Sequence, residues 1–225
     1  MGKCDRSGEV NKMKKHFQTL LNALLAGIFI GIAGTVYLAT PNALLGPFLF
    51  AFGLLAIICY QFKLFTGAVG YWANQRGKAI ADYTLHLVEI WLGNLAGCAL
   101  VGNLVRGTRT YPAFAQRVST LCDVKLADSA ASIFVLAIFC GILMYVAVET
   151  FRHQELPGVT RTVMVFLCVS VFILSGFEHS IAGMYYFSVA GKWSWQALSC
   201  IGIMTAGNAI GGMLIPFADT LRKSA

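Results

Sequence analysis

Charge is scarce in this sequence. Only 12% of its 225 residues are Asp, Glu, Lys or Arg, about half the roughly 25% of a soluble domain. With 57% of residues apolar, that scarcity excludes an ordinary cytosolic enzyme and a disordered chain alike. There are four histidines, at positions 16, 86, 153 and 179. A membrane enzyme would gather catalytic His, Asp or Cys near one membrane face, and these four form no such cluster. Seven cysteines (4, 59, 98, 122, 140, 168 and 200) include no CxxC pair, and most sit inside apolar runs. They read as small buried hydrophobes, not as a metal or disulfide framework. No bound cofactor is expected. The first 16 residues are polar and do not read as a cleavable signal peptide.

What remains is hydrophobic length. Mean hydropathy is +0.70, which places the chain among polytopic membrane proteins. Windows of about 20 apolar residues give six spans, at 17–39, 43–75, 83–105, 130–150, 161–190 and 195–217. The expected fold is therefore all-α and transmembrane. One six-span domain over 17–217 is flanked by an N-terminal segment, 1–16, and a short tail, 218–225. The second and fifth spans are too long for one crossing. At about 1.5 Å per residue, 161–190 as a single helix would reach ~45 Å, well past a ~30 Å hydrocarbon core. Both also carry polar residues in mid-span: Gln61, Lys63 and Thr66 in one, Ser175, Glu178 and His179 in the other. Long, interrupted spans predict broken helices.

The net charge of +7 comes from basic residues placed between the spans, which points to membrane topology and not to nucleic acid. Lys3, Arg6, Lys12, Lys14, Lys15, Arg76, Lys78, Arg152, Arg161, Arg222 and Lys223 fall on the side of the two termini. Arg106, Arg109, Arg117, Lys125 and Lys192 fall on the other, most of them in the 106–129 loop. The excess puts both termini in the cytoplasm.

A repeat runs through the spans. Gly93-Asn94-Leu95-Ala96-Gly97 in the third returns as Gly207-Asn208-Ala209-Ile210-Gly211 in the sixth, 114 residues later. The same offset sets Gly27-Ile28 on Gly141-Ile142, and Phe65 on His179. Three coincidences at one offset imply a duplication, with halves at about 17–105 and 130–217. Each half has three spans, an odd number, so the second is inverted relative to the first. Such repeats place a permeation site where the two breaks meet. The small residues of GNxxG suit close helix packing, with Asn94 and Asn208 bonding across the contact. Direct substrate contact is the other reading of these asparagines.

Leu64-Phe65-Thr66-Gly67, Gly93-Asn94 with Gly97, Gly176-Phe177-Glu178-His179-Ser180-Ile181-Ala182, and Gly207-Asn208 with Gly211-Gly212 resemble the motifs of the formate/nitrite transporter family. The resemblance runs from about residue 17 to 217, in the family's order and spacing. It implies a homopentamer of aquaporin-like protomers in the cell membrane, each with its own pore for small monovalent anions or their acids: formate, nitrite, hydrosulfide or lactate. It places Leu64, Phe65 and Thr66 at the break in the second helix, where with Leu54 they form a cytoplasmic constriction. It places Phe50 and Phe172 at the outer constriction, His179 at the centre of the pore and Glu178 beside it. This chain departs from the family at three places. Lys63 replaces the usual acidic residue before LFT, Ser129 holds the position of a usual lysine with Lys125 a turn earlier, and Tyr145 replaces a usual asparagine.

An ionisable residue at membrane depth is expensive unless it serves a function. Histidine exchanges a proton near neutral pH, so His179 could hydrogen-bond or protonate an anion that apolar slits oppose. Its competing reading is structural: the ring satisfies backbone groups freed by the helix break. Glu178 points away from its neighbour and would tie down the other broken helix through backbone N–H groups or Lys63. Lys63 either attracts anions into the pore or pairs with Glu178. A neutral-solute pore of aquaporin type shares the broken helices but should carry Asn-Pro-Ala in each half, and neither half has it. Within the family, a preference for lactate or acetate is the alternative to formate or nitrite.

Overall fold

A computed structural model describes residues 3–224, with side chains from Val10 to Lys223. The side chains of Lys3, Cys4 and Arg6, counted above, lie outside the described residues, as do residues 1, 2 and 225. Among the described residues every regular element is helical. The helices are α1 (Lys3–Ala39), α2 (Leu45–Cys59), α3 (Phe65–Ala68), α4 (Ala79–Arg106), α5 (Ala115–Ala127), α6 (Ala130–Arg152), α7 (Gly158–Leu174), α8 (Ser180–Ala190) and α9 (Trp195–Ser224). A 3-10 turn, Val69–Asn74, continues α3.

Four stretches are long and apolar enough to cross a membrane: Val10–Ala39, Ala79–Arg106, Ala130–Arg152 and Trp195–Lys223. α1 runs from Lys3 through the polar N-terminal stretch into the first span without a break. The 106–129 stretch, read as a loop, contains α5, whose Arg117 donates to the Tyr37, Leu38 and Thr40 carbonyls at the exposed end of α1. Carbonyls at a helix end lack the regular partner four residues on, so Arg117 fastens α5 over them. Local sequence sets the other ends. Ser129 caps α6 by accepting the Ser132 N–H, and Pro157, which cannot extend a helix backwards, opens α7.

The long helices cross in two tight pairs, α1 with α4 and α6 with α9. Small residues make the approach possible. A Cβ on Gly27 would sit 2.3 Å from the Asn94 carbonyl oxygen, and one on Gly141 would sit 2.3 Å from that of Asn208. Neither backbone can yield, so only glycine fits at these crossings.

The second and fifth apolar stretches are broken. α2 and α7 end in the same way. Gln61 and Gly176 adopt left-handed φ of 57° and 67°. The following N–H groups, of Phe62 and Phe177, return to the Ile57 and Phe172 carbonyls, forming Schellman stops. The chain then runs extended through Leu64 and His179 before α3 and α8 begin.

An asparagine staples each break. Asn94 accepts the Phe65 N–H (2.9 Å) and donates to the Ala23 and Lys63 carbonyls (both 2.8 Å). Asn208 accepts the Ser180 N–H (2.9 Å) and donates to the Ala137 and Glu178 carbonyls (2.8 and 2.7 Å). Both are fully buried, and together the bonds satisfy backbone groups that a membrane interior cannot. These contacts correct the register at the breaks. Asn94 to Asn208 and Ala23 to Ala137 keep the offset of 114, but Lys63 answers to Glu178 and Phe65 to Ser180, at 115. Leu64, not Phe65, is therefore the counterpart of His179.

Candidate functional site

The two breaks bring Thr66 and His179 together. Thr66 lies in the first turn of α3 and is 0% exposed; His179, at the N-cap of α8, is 4% exposed. The His179 Nδ1 accepts the Ala182 N–H at 3.0 Å, so that nitrogen carries no proton. The neutral ring therefore holds its proton on Nε2, which lies 2.9 Å from Thr66 Oγ1. The tautomer follows from this network. One nitrogen thus satisfies the helix break, and the other presents a donor to a buried hydroxyl. Thr66 Oγ1 in turn can pass a hydrogen bond onward.

On one side of this junction the way is aromatic. The Phe172 ring stacks on His179 with centroids 5.6 Å apart. Phe50 packs its edge on Phe172 (6.0 Å), and Tyr37 packs on Phe50 (6.3 Å). On the other side a cavity of about 670 Å³ opens, lined by Leu54, Leu64, Lys63, Tyr71, His86 and Arg152 among others. Leu54 and Leu64 are buried and form its apolar wall.

Of the residues singled out in the sequence, Phe50, Phe172, His179 and Thr66 form one chain of ring and hydrogen-bond contacts, and Leu54 and Leu64 line the cavity. Phe65 does not face the basic cavity. Its ring lines an apolar groove with Val69, Trp72, Leu87 and Trp91, because Leu64 and Phe65 straddle the start of α3 and turn to opposite sides. Truncating Leu64 is therefore the change that widens the slit: Leu64→Ala is expected to admit bulkier acids such as lactate, measured as relative flux of lactate and formate in proteoliposomes, and Phe65→Ala is expected to leave that ratio nearly unchanged.

Glu178 pairs with Lys125, not with Lys63. The Lys125 Nζ and a Glu178 carboxylate oxygen are 2.5 Å apart, with side chains 13% and 8% exposed. The reason is topological: α5 drapes across the start of α8, a contact invisible to a reading that took 106–129 as a loop. Lys125 thereby enters the site from outside the fourth span. Lys63 projects into the basic cavity and has no ion-pair partner among the described residues. Tyr145 is buried and packs near Tyr71. Tyr71, His86 and Arg152 were not foreseen; as separate residues near span ends they carry no pattern that would have linked them.

A buried polar junction set between two broken helices, in a bundle of apolar spans, defines a membrane transport protein rather than an enzyme. The family model for formate/nitrite transporters matches residues 2–218, and the chain belongs to that family. It is 26% identical over 213 residues to the nitrite transporter NirC of Escherichia coli K12, covering 85% of this chain and 78% of that protein. It is 26% identical over 203 residues to the formate channel FocA of the same strain, covering 82% and 70%. A solved pentameric formate channel with formate bound superimposes with a TM-score of 0.78 at 23% identity, covering 94% of this chain and 99% of that one.

Proposed function

We propose that the chain conducts small monovalent anions of the formate and nitrite type, or their conjugate acids, across the cell membrane. The observation that carries this reading is the Thr66–His179 junction, a lone donor pair buried between an aromatic slit and a basic cavity. A bare anion entering the slit loses hydration that apolar walls do not replace. A donor at the midpoint offsets part of that loss, and an anion that has taken a proton from the water at the mouth crosses as the neutral acid. His179 thus offers a hydrogen bond from Nε2, Thr66 orients it, and the leucine and phenylalanine slits on either side select for size. Protons are the second partner in this scheme.

The architecture proposed is a 3+3 inverted repeat of six spans, supported by the paired asparagine staples and the two Schellman stops. Both termini face the cytoplasm, on the same side as the basic cavity, which fits the excess of Lys and Arg there. The working unit is a homopentamer, the assembly of the formate channel that shares the fold, with one pore in each protomer. Radiolabelled formate uptake and stopped-flow nitrite flux in proteoliposomes test the reading, with lactate, acetate, glycerol and water as comparisons. Saturable formate or nitrite flux well above that of glycerol is expected. Faster lactate or acetate flux would reassign the substrate within the family, and glycerol or water flux alone would refute anion conduction.

A further inference from the structure

We propose that the basic cavity is an anion-binding site in its own right, with Lys63 as its principal cation and small carboxylates or oxyanions as its ligands. The proposal deepens the conduction reading, since such a site would load substrate at the cytoplasmic mouth.

The cavity's lining carries Lys63, His86 and Arg152, with Gln61, Gln154, Tyr71 and Tyr83 as neutral polar groups, and no Asp or Glu. Glu149 lies behind the lining, where it accepts the Tyr71 hydroxyl at 2.6 Å and offsets part of the charge of Arg152, which is held over the Tyr71 ring at 4.6 Å; Glu89 pairs with His16. That leaves Lys63 as the cation of the cavity with no acid beside it. Lys63 is exposed into the space and unpaired among the described residues. Its backbone is fixed by Asn94, which accepts no latitude at the break: the Lys63 carbonyl receives an Asn94 N–H at 2.8 Å. The ammonium is therefore tethered close to the leucine wall that guards Thr66 and His179.

At the opposite mouth the charges are tied down: Lys125 is paired at contact distance with Glu178, and Arg117, held over the Tyr37 ring at 4.6 Å, donates to the Tyr37, Leu38 and Thr40 carbonyls. About 30 Å³ per water leaves the 670 Å³ cavity room for an anion together with its hydration shell. Attraction there acts through water and is worth about five-fold in occupancy per unit charge at contact distance.

A native reporter sits in the same cavity. Cys59 is exposed and belongs to its lining, and Cys98, Cys122, Cys140, Cys168 and Cys200 are buried. In the full chain with Cys4→Ser, reconstituted in nanodiscs so that both faces are open, the rates of Cys59 modification by anionic sulfonatoethyl and cationic trimethylammonioethyl methanethiosulfonate are compared, each relative to a free thiol. The anionic reagent is expected to react faster, formate is expected to slow it, and Lys63→Met is expected to shrink the anion-to-cation ratio about five-fold. Arg152→Gln serves as the second variant should Lys63→Met assemble poorly, and should shrink the ratio in the same direction. A ratio that neither substitution changes, or that favours the cationic reagent in the parent chain, overturns the proposal. Because the readout is chemical modification and not flux, a charge-selective Cys59 in a chain that moves no anion would leave this site standing and remove the conduction reading instead.

Discussion

Lys125→Met should destabilise the protein by about 3–5 kcal/mol, the usual cost of stranding one member of a buried ion pair. Lys125 and Glu178 are in contact and both are largely shielded from solvent. Losing the lysine leaves the Glu178 carboxylate buried without a counter-charge beside the start of α8. The same residue's carbonyl is held by Asn208, so strain at its side chain reaches the staple at once. Lys125→Met combined with Glu178→Gln removes both charges and should recover most of the loss, since a neutral pair has no stranded charge. Thermal unfolding and gel filtration in mild detergent read both variants. A double variant no more stable than Lys125→Met would show that the pair is not what holds α5 against α8.

The second large effect belongs to Asn208. Asn208→Ala deprives the Ser180 N–H and the Glu178 carbonyl of their partner, at about 1–3 kcal/mol for each buried group left unsatisfied. It also opens a void where glycines bring α6 and α9 into contact. A loss of about 2–6 kcal/mol follows, with collapse of the α8 start and hence of the His179 position. Asn94→Ala should behave alike at the α3 start. Asn103→Ala is the control: that side chain is exposed and donates only to the Ala99 carbonyl within its own helix, so its melting temperature should match the parent. If Asn208→Ala unfolds no earlier than Asn103→Ala, the staple does not secure the break.

Much of this arrangement is legible in the sequence, and the rest is hidden for physical reasons. Length against bilayer thickness was enough to find the breaks after Cys59 and Leu174, because no helix of those apolar lengths fits one crossing. GNxxG gave the packing role of Asn94 and Asn208, because small residues four apart leave few other uses. The pairing of Phe65 with His179 failed by one residue. The stapled contacts are long-range, and one residue's difference in spacing between the halves leaves no trace in a motif match. The direction of the Phe65 ring was hidden too, since adjacent residues at a helix start part company only once the break has its shape. Lys125 was seen but placed a turn too early to matter. α5 is short and amphipathic, and only its docking across α8 brings residue 125 to residue 178. Lys63 could be read as either an attractor or a partner of Glu178; the structure, by giving Glu178 to Lys125, leaves it in the cavity.

The central claim is that the Nε2 proton of His179, directed by Thr66, meets the passing anion. Formate flux in proteoliposomes at fixed pH tests it most directly. His179→Phe, which keeps a planar ring against Phe172 but removes both nitrogens, should assemble, and its flux should fall sharply. A well-assembled His179→Phe variant with the parent's flux would contradict the account.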